Sequence, residues 1–332
     1  MTAVDVAVVI VTYRTAQLCV DALRSLHAER AASALNIRAI VVDNDSGDLP
    51  AITEAVESHA WSSWVTLVPA PRNGGFAYGN NLGIARAYAM RAPSYIYLLN
   101  PDAQLRPGAL VALVDFLERH SDAHIAGSSF ENIDGSEWPI AFRFPSLLGE
   151  LNIALEIGIV ARLLKRWVVP MRMSNEAQKV DWICGASMLI RPAVLEAVGG
   201  MDENYFLYFE ETDFCRRARG AGYTTWYVPE SRVMHIAGQS THVTGSSDRA
   251  RRLPRYWYES RRRYFAVTYG VRRAIFIDIL VLFGYAVGTL KRSLLRRSRV
   301  PYLMRDLVSN SIIWPRNRAV AAARTFSPDR CA

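Results

Sequence analysis

The stretch Val6-Ala-Val-Val-Ile-Val-Thr-Tyr-Arg-Thr15 decides how the rest of the chain is read. Its apolar, mostly β-branched run does not alternate with polar residues. That predicts a strand buried on both faces, the kind found in a parallel sheet covered by helices. The turn that follows, Thr12-Tyr-Arg-Thr15, contains no glycine. A dinucleotide-binding sheet needs a Gly-x-Gly-x-x-Gly turn there, so a hydride-transfer enzyme is a poor reading. Thr15 is expected to cap a helix in which Leu18, Ala22, Leu23 and Leu26 recur at helical spacing.

The rhythm repeats downstream. Ile37–Val42 predicts a second buried strand ending at Asp43-Asn-Asp-Ser-Gly47, and Ile52–Trp61 a helix. Val65–Val68 predicts a third strand, and Gly79–Met90 a helix opened by the Gly74-Gly75 loop. Tyr95–Leu99 predicts a fourth strand ending at Asn100-Pro-Asp102, and Leu110–His120 another helix. Strand–helix alternation with short connections predicts an α/β fold, a mostly parallel sheet flanked by helices. The polar clusters at 12–14, 43–47 and 100–102 all fall at carboxyl ends of strands, where such sheets bind ligands. From about residue 128 the pattern loosens. Leu147–Trp167 reads as an apolar helix ending in Arg162, Lys165 and Arg166, Val180–Ile190 as a strand, and Ala193–Val198 as a short helix. Glu211–Arg219 reads as a helix closed by Gly220 and Gly222, and Thr225–Val228 as the last strand, leading to His235.

The 332 residues include 51% hydrophobic and 21% charged ones, enough for a full core, which excludes global disorder. Cys19, Cys184, Cys215 and Cys331 lie far apart without metal or redox spacing, so buried thiols in a reducing compartment are expected. The run from Val4 to Val11 has neither a basic leader nor a cleavage site, and no signal peptide is expected. The net charge of +8 is uneven: residues 241–332 hold 19 Lys+Arg against 5 Asp+Glu, whereas residues 1–240 hold 20 against 26. A weakly acidic body thus carries a basic tail suited to a polyanion or an anionic membrane.

Several segments carry candidate chemistry. Thr12, Tyr13, Arg14 and Asp43 stand where a nucleobase and ribose would lie, although strand-end polar groups also satisfy loop backbone. The stretch Pro71-Arg-Asn-Gly-Gly-Phe-Ala-Tyr-Gly-Asn80 offers a glycine loop at a helix start, where anions bind, with Arg72 as a cation. An Asn-x-Asp turn such as Asn100-Pro-Asp102 can hold a divalent cation, or be no more than a turn. In Tyr205–Asp213, four aromatics precede Glu210, Glu211, Thr212 and Asp213. Acids at a helix start suit its dipole, but a carboxylate against apolar walls gains a raised pKa and the ability to act as a base. His235 follows the last strand, before a polar loop, Gly238-Gln-Ser-Thr241.

Together these segments resemble the family 2 glycosyltransferases of GT-A fold, and among them the rhamnosyltransferase-like members. The likeness covers residues 4 to about 242. It rests on Val8-Val-Ile-Val-Thr-Tyr13, Val41-Val-Asp-Asn-Asp-Ser46, Asn73-Gly-Gly-Phe76 with Gly79-Asn-Asn81, Leu98-Leu-Asn-Pro-Asp102, Gly185-Ala186, and Gly200-Met-Asp-Glu203 running into Tyr208-Phe-Glu-Glu-Thr-Asp213. The resemblance implies inverting transfer of a sugar, L-rhamnose from dTDP-L-rhamnose or a UDP-linked sugar, to a saccharide or lipid-linked acceptor in cell-surface polysaccharide synthesis. It implies donor contacts from Thr12, Tyr13, Arg14, Asp43, Arg72, Gly74, Gly75, Asn80 and Asn100, and acceptor contacts from Trp182, Gly185 and Glu210. Asp102 and His235 would hold Mg²⁺ or Mn²⁺. Glu211 would be the general base, in place of the family's aspartate, with Asp213 the runner-up. Asn100 replaces the first aspartate of the metal motif. Residues 1–127 are then the nucleotide-sugar half and 128–242 the acceptor-binding and catalytic half of one domain, and 243–332 a basic helical extension.

In that extension, Ala274–Leu290 is apolar apart from Asp278, Thr289 and a few glycines and tyrosines. Arg272 and Arg273 precede it; Lys291, Arg292, Arg296, Arg297 and Arg299 follow it. It is short for a span, and a central aspartate is costly there. An in-plane helix on the anionic inner face of the cell membrane is expected, with a core helix as the plain alternative. Arg261-Arg-Arg263 is a candidate for acceptor diphosphate. The arginines bracket an apolar run rather than interleaving with exposed aromatics, so no nucleic-acid partner is expected.

Overall fold

The computed structural model describes residues 4–138, 141–155, 157–171, 173–236, 252–294 and 302–322. The first half runs β1 (Asp5–Thr12), α1 (Ala16–Ala32), β2 (Asn36–Asp43), α2 (Leu49–Ser58), β3 (Val65–Pro69), α3 (Gly75–Met90), β4 (Tyr95–Leu99), β5 (Ala103–Leu105), α4 (Ala109–Arg119) and β6 (Ile125–Glu131). Next come β7 (Glu137–Trp138), β8 (Ala141–Phe142), α5 (Leu147–Leu155), α6 (Gly158–Leu163), β9 (Gln178–Val180), β10 (Trp182–Ile183) and β11 (Ser187–Ile190). The remainder is α7 (Pro192–Val198), α8 (Glu210–Gly220), β12 (Thr225–His235), α9 (Arg255–Tyr269), α10 (Val271–Leu294), α11 (Leu303–Asn310) and α12 (Pro315–Ala322).

The main sheet has the order β3-β2-β1-β4-β11-β6-β12-β5, with β7 beside β6 and β9 beside β12. β1 pairs in parallel with β2 and β4, and β12 in parallel with β6, while β11 runs antiparallel between β4 and β6. This is the expected α/β architecture, a mixed and mostly parallel sheet flanked by helices. Every residue of β1 and β4 is buried, as a doubly covered strand requires. Helix α3 lies close on β1, since a Cβ on Gly79 or Gly83 would fall 2.5 Å or less from the side chains of Val11 and Val9.

The second half departs from the sequence reading in instructive ways. The strand expected over Val180–Ile190 is three pieces. β10 pairs with β8 in a separate ribbon, and Cys184-Gly185-Ala186 leaves both sheets before β11 begins. β6 had no apolar signature because its centre is Ser128-Ser129. The Ser128 hydroxyl is buried and hydrogen-bonds to the hydroxyls of Ser187 (2.5 Å) and Ser231 (2.7 Å). β12 runs on to His235 past Pro229, with a register shift between Val228 and Arg232. The long helix expected over Leu147–Trp167 is α5, α6 and a 3₁₀ turn at Lys165–Trp167. It doubles back so tightly that a Cβ on Gly149 would meet the Trp167 carbonyl at 2.7 Å. Thr15 does stand at the start of α1, but its hydroxyl pairs with that of Thr12 (3.1 Å) instead of capping the helix.

A second, smaller core joins the C-terminal helices to the main domain. Tyr264, Phe265, Ala274, Ile277, Val281 and Ile312 pack with Ala154 of α5 and with Tyr205. Arg261-Arg-Arg263 is buried here, which removes it from the acceptor diphosphate role. Arg261 donates to Glu150 (2.6 and 2.8 Å) and Asp278 (2.6 Å), Arg262 to the Asn310 carbonyl, and Arg263 to Asp202 (2.5 and 2.8 Å). Asp278, anomalous within an apolar run, also accepts from the Ser311 hydroxyl and the Ile312 amide. A buried charge matched this way is tolerated. Gly238-Gln-Ser-Thr241, Arg296, Arg297, Arg299 and Cys331 lie outside the described residues. Cys19, Cys184 and Cys215 are free thiols.

Candidate active site

Parallel strands bring their carboxyl ends to one edge, and the polar clusters meet there. Thr12 ends β1 opposite Asp43 at the end of β2. Leu99, the last residue of β4, is opposite Ser187, the first of β11, and the Asn100 amide donates to the Ala186 carbonyl (3.1 Å). His235 at the end of β12 is opposite Ala103, and the Ile236 amide donates to the Asp102 carbonyl (3.1 Å). Backbone pairing alone thus sets Asp102 beside His235, with the two side chains buried and His235 Nε2 at 3.2 Å from Asp102 Oδ1.

On the donor side, Asp43 accepts from the amide (3.1 Å) and hydroxyl (2.5 Å) of Ser46, which fixes its loop. The Thr12 hydroxyl donates to Asp48 (3.0 Å), a structural role of the kind strand-end polar groups often take. The Arg14 guanidinium lies over the Tyr13 ring at 5.1 Å, and that of Arg72 over the Tyr78 ring at 4.4 Å. Gly74 and Gly75 form the first turn of α3, tied to the β2 loop through Asn44. The Asn44 side chain accepts from the Gly74 amide (3.3 Å) and donates to the Gly75 carbonyl (3.1 Å). Asn80 is buried, and its side-chain amide donates to the Phe76 carbonyl within α3 (2.9 Å). Its neighbour Asn81 accepts from the Met201 amide (2.9 Å) and donates to the Met201 carbonyl (2.8 Å).

The stretch Tyr205–Asp213 crosses from the second core to the site. The Phe206 carbonyl accepts from the Phe76 amide at 2.9 Å. Tyr208 and Phe209 both have φ of 69°, a left-handed conformation that side chains rarely adopt. They are held by α9, where Tyr208 stacks on Tyr256 and Phe209 meets Trp257 and Tyr264. The turn delivers Glu210 and Glu211 to the first positions of α8. Glu210 is buried. Glu211 keeps some exposure, but its Oε2 is shielded, and neither Oε2 has a hydrogen-bond partner. Burial pushes the Glu211 carboxyl up to about 7, against amide hydrogen bonds from its own backbone and Gly185. Burial, and then the charge of Glu211, raise Glu210 well above the usual carboxylate range. Asp213 is committed elsewhere, to Arg216 (3.0 Å) and Arg217 (2.7 Å). Trp182 stacks on Phe142 at 4.2 Å in the small ribbon, and its indole N–H donates to the Arg143 carbonyl (3.0 Å).

Cys184 lies among these groups. Its thiol is raised first by burial, then by the carboxylates of Glu211, Asp102 and Glu210. The Cys184–Ala186 turn adjoins both sides of the site: a Cβ on Gly185 would stand 3.9 Å from Glu211 Cβ, and the Ala186 carbonyl accepts from the Asn100 amide (3.1 Å). With Asn100 Oδ1, Asp102 and His235 offer oxygen and nitrogen donors suited to a hard divalent cation. That Asn100 atom is buried and has no partner. Among the described residues no group of three His, Cys, Asp or Glu side chains forms a complete cage. A cation held by few protein ligands, with its remaining positions open to phosphate, is how Mg²⁺ is usually bound.

The family model for Glycosyltransferase like family 2 matches residues 3–265. The chain belongs to that family. Among curated relatives, an N-acetylglucosaminyl-diphospho-decaprenol L-rhamnosyltransferase of Mycobacterium tuberculosis is 31% identical over 185 residues, 53% of this chain and 60% of the relative. Rhamnosyltransferase WbbL of Escherichia coli is 28% identical over 166 residues, 49% of this chain and 61% of the relative. The chain thus spans about three-fifths of the length of the curated relatives it matches. Solved structures share the fold at 13% identity. GalNAc-T7 with UDP, GalNAc and Mn²⁺ has a TM-score of 0.58 over 93% of this chain and 57% of its own. The mannosyltransferase PcManGT of Pyrobaculum calidifontis with GDP-Man and Mn²⁺ has 0.53 over 96% and 83%. The mixed, mostly parallel sheet flanked by helices is thus a GT-A-like fold, extended by C-terminal helices.

Proposed function

We propose that this family 2 chain transfers L-rhamnose, with inversion, from dTDP-L-rhamnose to a lipid-linked saccharide in the synthesis of a bacterial cell-surface polysaccharide. It would work on the cytoplasmic face of the cell membrane. The observation that carries this reading is Glu211: a shielded carboxyl with a near-neutral pKa and one oxygen left over, among the same residues as Asp102. Glu211 takes the proton of the acceptor hydroxyl, whose oxygen bonds to the anomeric carbon from the face opposite the diphosphate. The bond to the leaving oxygen breaks with its electron pair, and the nucleoside diphosphate departs. Glu210, protonated beside it, keeps a second negative charge away from the base. Asp213 holds Arg217, which ties α8 to the Val198 and Gly200 carbonyls. Asn100, Asp102 and His235 would hold Mg²⁺ or Mn²⁺, which when bound supplies positive charge against the diphosphate. The rhamnosyl donor is supported by the two relatives' names, and a UDP-sugar is the alternative.

The test is transfer from a panel of nucleotide sugars to a polyprenyl-diphosphate sugar, with the product's anomeric configuration read by NMR. dTDP-L-rhamnose should give the highest kcat/KM, with inversion. Retention of configuration, or near-normal transfer by a folded Glu211→Gln protein, would overturn the reading.

A further inference from the structure

Helix α10 is apolar on two opposite faces. One face is Ala274, Ile277, Asp278, Val281, Gly284 and Gly288, buried against the protein. The other is Phe276, Ile279, Phe283, Leu290 and Leu294, each between 48% and 76% exposed. The exposed set recurs at intervals of three, four and seven, a continuous stripe along the helix. By length and composition α10 could cross a membrane. Its inner face is bound too closely for that. A Cβ on Gly284 would lie 2.9 Å from Ala154 Cβ, and one on Gly288 2.7 Å from the Ala154 carbonyl, while Asp278 is paired with Arg261. The helix is fixed lengthwise on α5.

A second exposed apolar set lies on this partner and its neighbour. α5 and α6 expose Ile153, Ile159 and Leu163, large apolar side chains from a segment within the catalytic fold, far from the tail in sequence. Cations border both parts: exposed Arg162, Lys165 and Arg166 beside α6, and exposed Arg272 and Arg273 at the start of α10. Scattered exposed apolar residues need no explanation, but a stripe of large ones with cations of one sign beside it marks a binding surface.

We infer that α10 and the α5–α6 hairpin together form a two-part seat for an anionic lipid bilayer, with α10 in the plane of the interface. The arginines and Lys165 meet lipid phosphates while the two apolar sets enter the acyl boundary. A second copy of the chain could cover an apolar stripe, but two copies would bring these like charges together. The inference rests on the proposed function for a lipid-linked acceptor, and its test reads lipid binding, not transfer.

The full-length protein is floated with vesicles of phosphatidylglycerol mixed with phosphatidylcholine, and with phosphatidylcholine alone, at low and high salt. The wild type should float with the anionic vesicles at low salt and less at high salt. Phe276→Glu with Phe283→Glu should lower the bound fraction about ten-fold, and so should Ile159→Glu with Leu163→Glu, because each removes half the seat. Both variants should keep the wild-type Tm and transfer to a short, water-soluble acceptor. Wild-type protein that stays soluble with anionic vesicles would overturn the inference, as would an α5–α6 variant that floats like wild type. So would a wild-type dimer in vesicle-free solution that the same substitutions split. Loss of transfer with floating intact would instead count against the proposed reaction.

Discussion

The Phe76 amide donates to the Phe206 carbonyl at 2.9 Å, so the glycine loop on the donor side and the loop that delivers Glu211 are one backbone unit. Between them sits Gly75, with φ of 86° and Phe206 O at only 1.9 Å from where a Cβ would stand. Gly75→Ala should push the two loops apart. Gly108→Ala is the control, since Gly108 has φ of 81° and open space around it. The control should cost only left-handed strain, about 1 kcal/mol. Gly75→Ala should cost clearly more by thermal unfolding and raise the donor KM about ten-fold or more. Equal effects of the two substitutions would show that the close approach does not matter.

Activity should follow the ionisation of Glu211, raised by burial to about 7. The base must be charged, so kcat/KM should climb through that range as pH rises and flatten above it. Stability should run the other way. A folded-state carboxyl pKa above its unfolded value of 4.5 means the native state holds the proton more tightly. This group therefore takes nothing from stability below about pH 4.5. Between there and about pH 7 it destabilises increasingly, by roughly 1.4 kcal/mol for each step of one in pH. Glu211→Gln should lower kcat by a factor of about 10²–10⁴ while raising Tm at pH 8. A fall in Tm there would contradict the burial account.

Asp102→Asn and His235→Ala should each weaken Mn²⁺-dependent binding of the nucleoside diphosphate, read by calorimetry with and without chelator. Nucleoside monophosphate, which lacks the diphosphate, should bind equally to all three proteins. Unchanged Mn²⁺ dependence in both variants would remove these residues from the cation site.

Arg263 is a positioning residue acting through Asp202, 61 positions earlier, at the entrance to the catalytic stretch. Arg263→Met leaves the buried Asp202 carboxylate without a counter-charge, held only by the Asn204 amides, and should cost about 3–5 kcal/mol. Arg263→Lys should restore part of that stability but less of kcat, because one ammonium cannot copy the two guanidinium contacts. Full recovery of kcat with lysine would reduce the pair to a structural tie.

The strand ends were legible because a doubly covered parallel strand reads as an apolar run, and the residue after it falls at the ligand edge. Asp43, Asn100 and Asp102 were read that way, and the helical extension by its apolar run; Glu211, at the start of α8, was read from the aromatic and acidic stretch Tyr205–Asp213 and from the family resemblance. What the sequence hid depends on distant partners. Asn44 works through Asn73 and the glycine turn, Asn81 through a loop 120 residues on, and Asp202 through Arg263. A polar residue whose partner lies that far away has no local signature. β6 was hidden because its buried serines satisfy one another across three strands. One clue was available: Asp278 inside an apolar run demands a buried cation, and Arg261-Arg-Arg263 is the basic cluster on the preceding helix, whereas the nearer Arg272 and Arg273 are exposed at the start of α10 itself.

Helix α9 is bolted at both ends of its function. Through Arg261 it grips α5 and α10, and through Ser260 and Arg263 it grips Leu207 and Asp202 on the approach to Glu211. If α10 rests on a bilayer, α9 becomes a rigid spacer that sets the height of the base above the lipid phosphates. Acceptors would then be sorted by stature: a glycan whose reactive hydroxyl stands at that height is reached, and one a sugar taller or shorter is passed over. The tool that measures chain length would be the scaffold itself.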